Sequence, residues 1–83
     1  MIGRVYKVGN NGKLIVPLNN GMCCVIVIND GQKVKNNDSI DFEKKFDCQS
    51  MIHINSGELF SGCIEYLNIS FSEAERYLNI EVS

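Results

Sequence analysis

Three short runs of apolar positions, each closed by a turn signal, fill the first third of the chain. Gly9-Asn10-Asn11-Gly12, Asn19-Asn20-Gly21 and Asn29-Asp30-Gly31 recur at near-regular spacing. Asn-Gly and Asp-Gly supply the positive φ angles of tight hairpins, and the segments between them are rich in β-branched residues. This pattern predicts a meander of strands over residues 2–8, 13–18 and 22–28. In the second strand Leu14, Val16 and Leu18 share one face, opposite Lys13, Ile15 and Pro17. Pro17 has no N–H, so its position must lie at an edge, a bulge or a gap. The third strand is apolar on both faces, with Met22, Cys24, Ile26 and Ile28 opposite Cys23, Val25 and Val27. A strand with one wet face alternates, so something must cover this one twice.

Beyond a polar loop at 32–38, Ser39-Ile40-Asp41-Phe42 alternates with Ile40 and Phe42 inward, a face that Phe46 continues. Residues 51–54 form another extended stretch, with Ile52 and Ile54 on one side and His53 turned to solvent. Leu59, Phe60, Cys63, Ile64 and Leu67 fit helical spacing, yet Gly62 and the β-branched residues after it favour a strand that closes the sheet. At the C-terminus, Ser72 with Glu75, or Ser70 with Glu73 one step earlier, matches a capping box. Phe71, Ala74, Tyr77 and Leu78 follow as an apolar stripe. A two-turn helix over 72–79 is expected, docked by that stripe and available to cover the third strand.

The spacing of Gly3-x-Val5, Val8-Gly9-Asn10-Asn11-Gly12-Lys13-Leu14-Ile15-Val16-x-Leu18 and Asn20-Gly21 resembles the opening strands of small oligonucleotide/oligosaccharide-binding (OB) barrels. Cold-shock domains and the small bacterial translation initiation factor are of this kind. Gly31-x-x-Val34-x-x-x-Asp38-x-Ile40-x-Phe42 resembles their loop and fourth strand, and Gly62-x-Ile64 their closing strand. The resemblance spans residues 1–69. It implies a mainly β protein: a five-stranded antiparallel barrel whose second and third strands face a ligand, with 70–83 as a helical extension of the same single domain. Two departures bear on the ligand. Leu14-Ile15-Val16 and Cys24-Val25-Ile26-Val27 carry no aromatic for base stacking, a contribution of about 1–3 kcal/mol per base. Asn37 and Asp38 stand where the family has a glycine and an aspartate.

With 83 residues and 45% apolar side chains the chain supports one modest core. Its longest apolar run is the seven residues 22–28, short of the roughly 20 that span a membrane, and no secretory segment follows Met1. These features lead to the expectation of a cytoplasmic protein, with the Asn-X-Ser sequons at Asn37 and Asn68 idle. Ten asparagines, ten isoleucines and one alanine suggest an AT-rich coding sequence, as in a low-GC bacterium, a phage or a mobile element.

The net charge of −2 hides a division. Residues 1–35 hold Arg4, Lys7, Lys13, Lys33 and Lys35 against Asp30, a net +4; residues 36–83 hold a net −6. Segregation of this kind points to an interaction face. The candidate nucleic-acid contacts are therefore Arg4, Lys7, Lys13, Lys33 and Lys35 for phosphates and Tyr6 for stacking, on a single strand of RNA or DNA, RNA preferred. The alternative is a protein-binding module, an adaptor or a small inhibitor or immunity-type protein. It would use the apolar strand 22–28, toward a protein partner or a second copy of the chain, or an acidic surface with Asp38, Asp41, Glu43, Asp47 and Glu58. Cys23, Cys24, Cys48 and Cys63 lack zinc-site spacing and read as buried free thiols. With one histidine and no phosphate-cradling loop, neither an enzyme, a metal nor a cofactor is expected.

Overall fold

The computed structural model describes residues 1–9, 12–29, 31 and 33–80. The turn positions Asn10, Asn11 and Asp30, loop residue Gln32 and the final three residues lie outside the described set. Seven strands precede one helix: β1 (Ile2–Arg4), β2 (Lys7–Val8), β3 (Lys13–Pro17), β4 (Cys23–Ile28), β5 (Ser39–Asp41), β6 (Cys48–His53), β7 (Glu58–Ile69) and α1 (Phe71–Ile80). They form one antiparallel sheet in the order β1-β5-β6-β7-β4-β3-β2, curled into a half-barrel. Gly12, Gly21 and Gly31 all sit at φ between 76° and 80°, as the Asn-Gly and Asp-Gly turn signals require.

Seven strands stand where five were expected, for two reasons. The segment 48–53 is a full strand inserted between β5 and β7. The expected first strand, 2–8, is divided at the Val5–Tyr6 peptide. On one side the Val5 N–H donates to Asp38 O at 2.8 Å and Val5 O accepts from the Asn37 N–H at 2.7 Å; on the other the Tyr6 N–H donates to Ile15 O at 2.8 Å. Neighbouring residues thus bond to opposite ends of the sheet, and this one piece of chain links them. Gly3 permits the approach: a Cβ there would collide with Val16 Cγ1 and lie 3.2 Å from Phe42 Cε1.

The concave side holds the main core, in which Val5, Leu14, Val16, Cys24, Ile26, Ile40, Met51, Phe60 and Ile64 pack together. The convex side of β3 and β4 holds a second cluster, Ile15, Cys23 and Val25 beneath Ala74 and Leu78 of α1. The doubly apolar β4 is explained: it pairs with β3 and β7, the core fills one face and α1 covers the other. Residues 23–26 are fully buried, so no open face or edge remains there for a partner. Pro17 belongs to the phase of β3 that bonds toward β2, and β2 ends opposite Ile15, so its missing N–H falls in a gap. The helix begins at Phe71, one residue before the expected start, and uses the earlier of the two capping patterns. Ser70 is the cap, its Oγ accepting from the Glu73 N–H at 3.2 Å.

Four side chains take faces opposite to those expected. His53 is 7% exposed, whereas Ile52 and Ile54 are 37% and 44% exposed, and Phe46 is 65% exposed in the loop after β5. The register Met51↔Phe60 and Ile52↔Leu59 puts Met51 and His53 inward. Flexible Met51 fits over Gly62, where a Cβ would lie 3.1 Å from its sulfur, and buried His53 finds two polar partners.

Candidate nucleic-acid interface

Two short segments are each pinned by a valine buried in the main core. In Arg4-Val5-Tyr6 and in Lys33-Val34-Lys35 the valine is buried while the residues flanking it face solvent. The loop is held along residues 2–8, the closing strand that links the two sheet ends, by the Val5–Asn37 and Val5–Asp38 bonds and by the Val8 N–H donating to Asn36 Oδ1 at 3.0 Å. Asn37 takes a left-handed conformation, φ 74°, which asparagine tolerates better than most residues and which turns the chain back toward β5. Lys7 is half-buried on β2, opposite Ile15.

Five of the six candidate residues, Arg4, Tyr6, Lys7, Lys33 and Lys35, therefore belong to the closing strand and the loop bonded to it. Among the described residues no carboxylate forms an ion pair with Arg4, Lys7, Lys33 or Lys35. Lys13 is set apart: it lies on the convex face of β3, diagonal to Lys7, with its ammonium 2.9 Å from Glu65 Oε1. Tyr6 is 50% exposed, its ring edge-on to Phe71 with centroids 5.4 Å apart. The ring thus packs against the helix and is otherwise half exposed.

A hydrogen-bonded chain that the sequence did not disclose supports this loop. His53 Nε2 lies 2.8 Å from Asp38 Oδ2 and Nδ1 lies 2.8 Å from Ser56 Oγ. Asp38 Oδ2 also accepts the Lys35 N–H at 3.0 Å. That amide bond, with the contact and charge of His53, holds the Asp38 carboxyl below its ordinary value, against the opposing effect of desolvation. The N–H groups of Ser56 and Gly57 donate to His53 O, and that of Glu58 to Ser56 Oγ. These donors are used within the turn, and the arrangement works as a clamp joining the basic loop to the β6–β7 connection. The signal available in the sequence was only a lone histidine within an extended stretch.

The expected acidic surface is partly spent in local pairs. Asp41 Oδ1 is 3.4 Å from the Met1 ammonium, Glu43 Oε2 is 3.1 Å from Lys45 Nζ, and Asp38 is in the clamp. A cavity of about 220 Å³ opens between Met1, Asp41, Glu43, Gln49 and Ile52, and none of the six candidate residues lines it. Ile52 and Leu59, directly opposed on β6 and β7 and 37% and 69% exposed, form an apolar pair on the convex face with Ile54 beside them.

The cysteines divide in a way that corrects the expectation of four buried free thiols. Cys23 and Cys24 are free and buried on opposite faces of β4, but Cys48 and Cys63 form a disulfide between β6 and β7. Register is the cause, because Cys48 and Cys63 are direct cross-strand partners. Among the described residues no group of three or more His, Cys, Asp or Glu side chains is arranged to hold a metal, and no helix is long and apolar enough to cross a membrane.

No family model matches this chain, and neither the curated proteins nor the solved structures contain a match to it.

Proposed function

We propose that the protein is a non-catalytic module that binds single-stranded nucleic acid, RNA in preference to DNA, along the closing strand and its neighbouring loop. One observation carries the reading: the loop that carries Lys33 and Lys35 is hydrogen-bonded through Asn36, Asn37 and Asp38 to the segment that carries Arg4, Tyr6 and Lys7, so exposed cations about thirty residues apart in sequence belong to two joined segments. Arg4, Lys7, Lys33 and Lys35 supply phosphate contacts, and Tyr6 supplies one stacking platform. A single platform makes for weak, sequence-tolerant binding dominated by charge.

Fluorescence anisotropy with short RNA and DNA oligomers across a salt series tests the reading. Four phosphate contacts give a slope of log K against log salt of about −3 for a single strand. Lys33→Glu with Lys35→Glu abolishes binding, and Tyr6→Ala weakens it roughly tenfold through the lost stacking. Absence of binding at low salt, or full binding by the double variant, rejects the proposal.

A second reading, a protein-interaction module, draws on the exposed Ile52, Ile54 and Leu59. Its surface is distinct from those two segments, so Leu59→Lys abolishes partner capture under that reading and leaves oligonucleotide binding intact under the first.

A further inference from the structure

The two sulfurs of the Cys48–Cys63 bridge sit in unlike surroundings. Cys48, at the start of β6, is exposed, while Cys63, opposite it on β7, is half-buried. Asn29 Nδ2 donates a hydrogen bond to Cys63 Sγ at 3.0 Å. Asn29 is held in place where the chain leaves β4, because its N–H donates to Ser61 O at 2.9 Å. The Cys48 side carries the opposite electrostatics: Asp47, whose Oδ1 accepts the Cys48 N–H at 2.9 Å, places a carboxylate beside it.

We infer that this bridge is a directional site for thiol–disulfide exchange with small thiols, attacked at Cys48 with Cys63 as the leaving group. In such exchange a thiolate attacks one sulfur in line, negative charge develops on the other, and stabilising that departing thiolate speeds the reaction. Cys48 is the exposed residue of the two, the side from which an incoming thiolate approaches. A hydrogen-bond donor beside Cys63 favours charge there, and a carboxylate beside Cys48 disfavours it. The first step forms the bond between the thiol's sulfur and Cys48 Sγ as the Sγ–Sγ bond breaks. The electron pair of that bond leaves on Cys63, which takes a proton from water. A second thiolate then attacks the small-molecule sulfur of the mixed disulfide and releases Cys48. Two small thiols are oxidised to their disulfide and the protein bridge gains two electrons. Cys23 and Cys24 take no part, since burial raises both thiols, Cys24 to about 12.

The experiment treats the folded, oxidised chain with glutathione, quenches in acid, alkylates free thiols and maps the products by mass spectrometry. The expected early product carries glutathione on Cys48 and an alkylated Cys63, with Cys23 and Cys24 unmodified. Asn29→Ala slows the reaction on the order of fivefold, the effect of removing one hydrogen bond to a developing charge. Asn29→Asp, of similar size but anionic, slows it further. The proposal is overturned by glutathione on Cys63 or equally on both sulfurs, by an Asn29→Ala rate equal to that of the parent, or by reduction only after denaturation. Four titratable thiols in the air-oxidised chain would also overturn it. None of these outcomes depends on whether the protein binds nucleic acid.

Discussion

Asp38 holds three parts of the molecule through one carboxylate, which meets the Lys35 amide and His53 while its own carbonyl accepts from Val5. Because its pKa is lowered on folding, its contribution to stability is complete above the unfolded value of 3.8 and is lost as pH falls through the lower folded value. Thermal unfolding followed from about pH 6 to about pH 2 should therefore show a loss of stability that Asp38→Asn flattens at the acid end. At neutral pH the same substitution costs about 1 kcal/mol through the weakened hydrogen bonds. An acid limb identical in parent and variant would assign the pH dependence to other carboxylates. Gly3 makes the contrasting case, in which a missing side chain is what matters. A methyl group there has nowhere to go between Val16 and Phe42, so Gly3→Ala should destabilise by about 1–3 kcal/mol in urea unfolding.

At the scale of elements, α1 is too short to persist alone, and its place is set by Ala74 and Leu78 against Ile15, Cys23 and Val25. Leu78→Ala should cost about 2–5 kcal/mol, a large part of the stability of so small a domain. Circular dichroism with urea titration reads this, and an unchanged midpoint would mean that the helix is not the cover of β4. The helix stripe, the hairpin glycines and the doubly apolar β4 were legible because each depends on local periodicity. The segment 2–8 was not legible as two strands, because no Gly or Pro marks a break between Ile2 and Val8 apart from Gly3; the signal present was the slip of phase that puts both Val5 and Val8 against the core, where the hydrogen-bonding partner changes at Val5–Tyr6. The phase of β6 was missed for a related reason. Ile52 and Ile54 outweigh His53 in any hydrophobic count, yet partners distant in sequence, Asp38 and Gly62, put His53 and Met51 inside. Cys48 and Cys63 are fifteen residues apart, and only the β6–β7 register brings them together.

For the whole molecule, the charge division in the sequence became a spatial one only in part. Folding lays residues 36–38 along residues 5–8, a contact that no spacing rule announces, and so joins the loop that carries Lys33 and Lys35 to the segment that carries Arg4 and Lys7. Lys13 fell to Glu65 instead. Covering β4 with α1 also buries the apolar strand face considered in the alternative, protein-binding reading. The linked sheet ends carry a further consequence. A free strand edge is a template onto which another polypeptide can add, in amyloid growth as in peptide capture. Here the terminal strands are only three and two residues long, and the same stretch of backbone occupies both rims. A visitor to this protein must be recognised by its side chains, and the chain itself offers little foothold for stacking into fibrils.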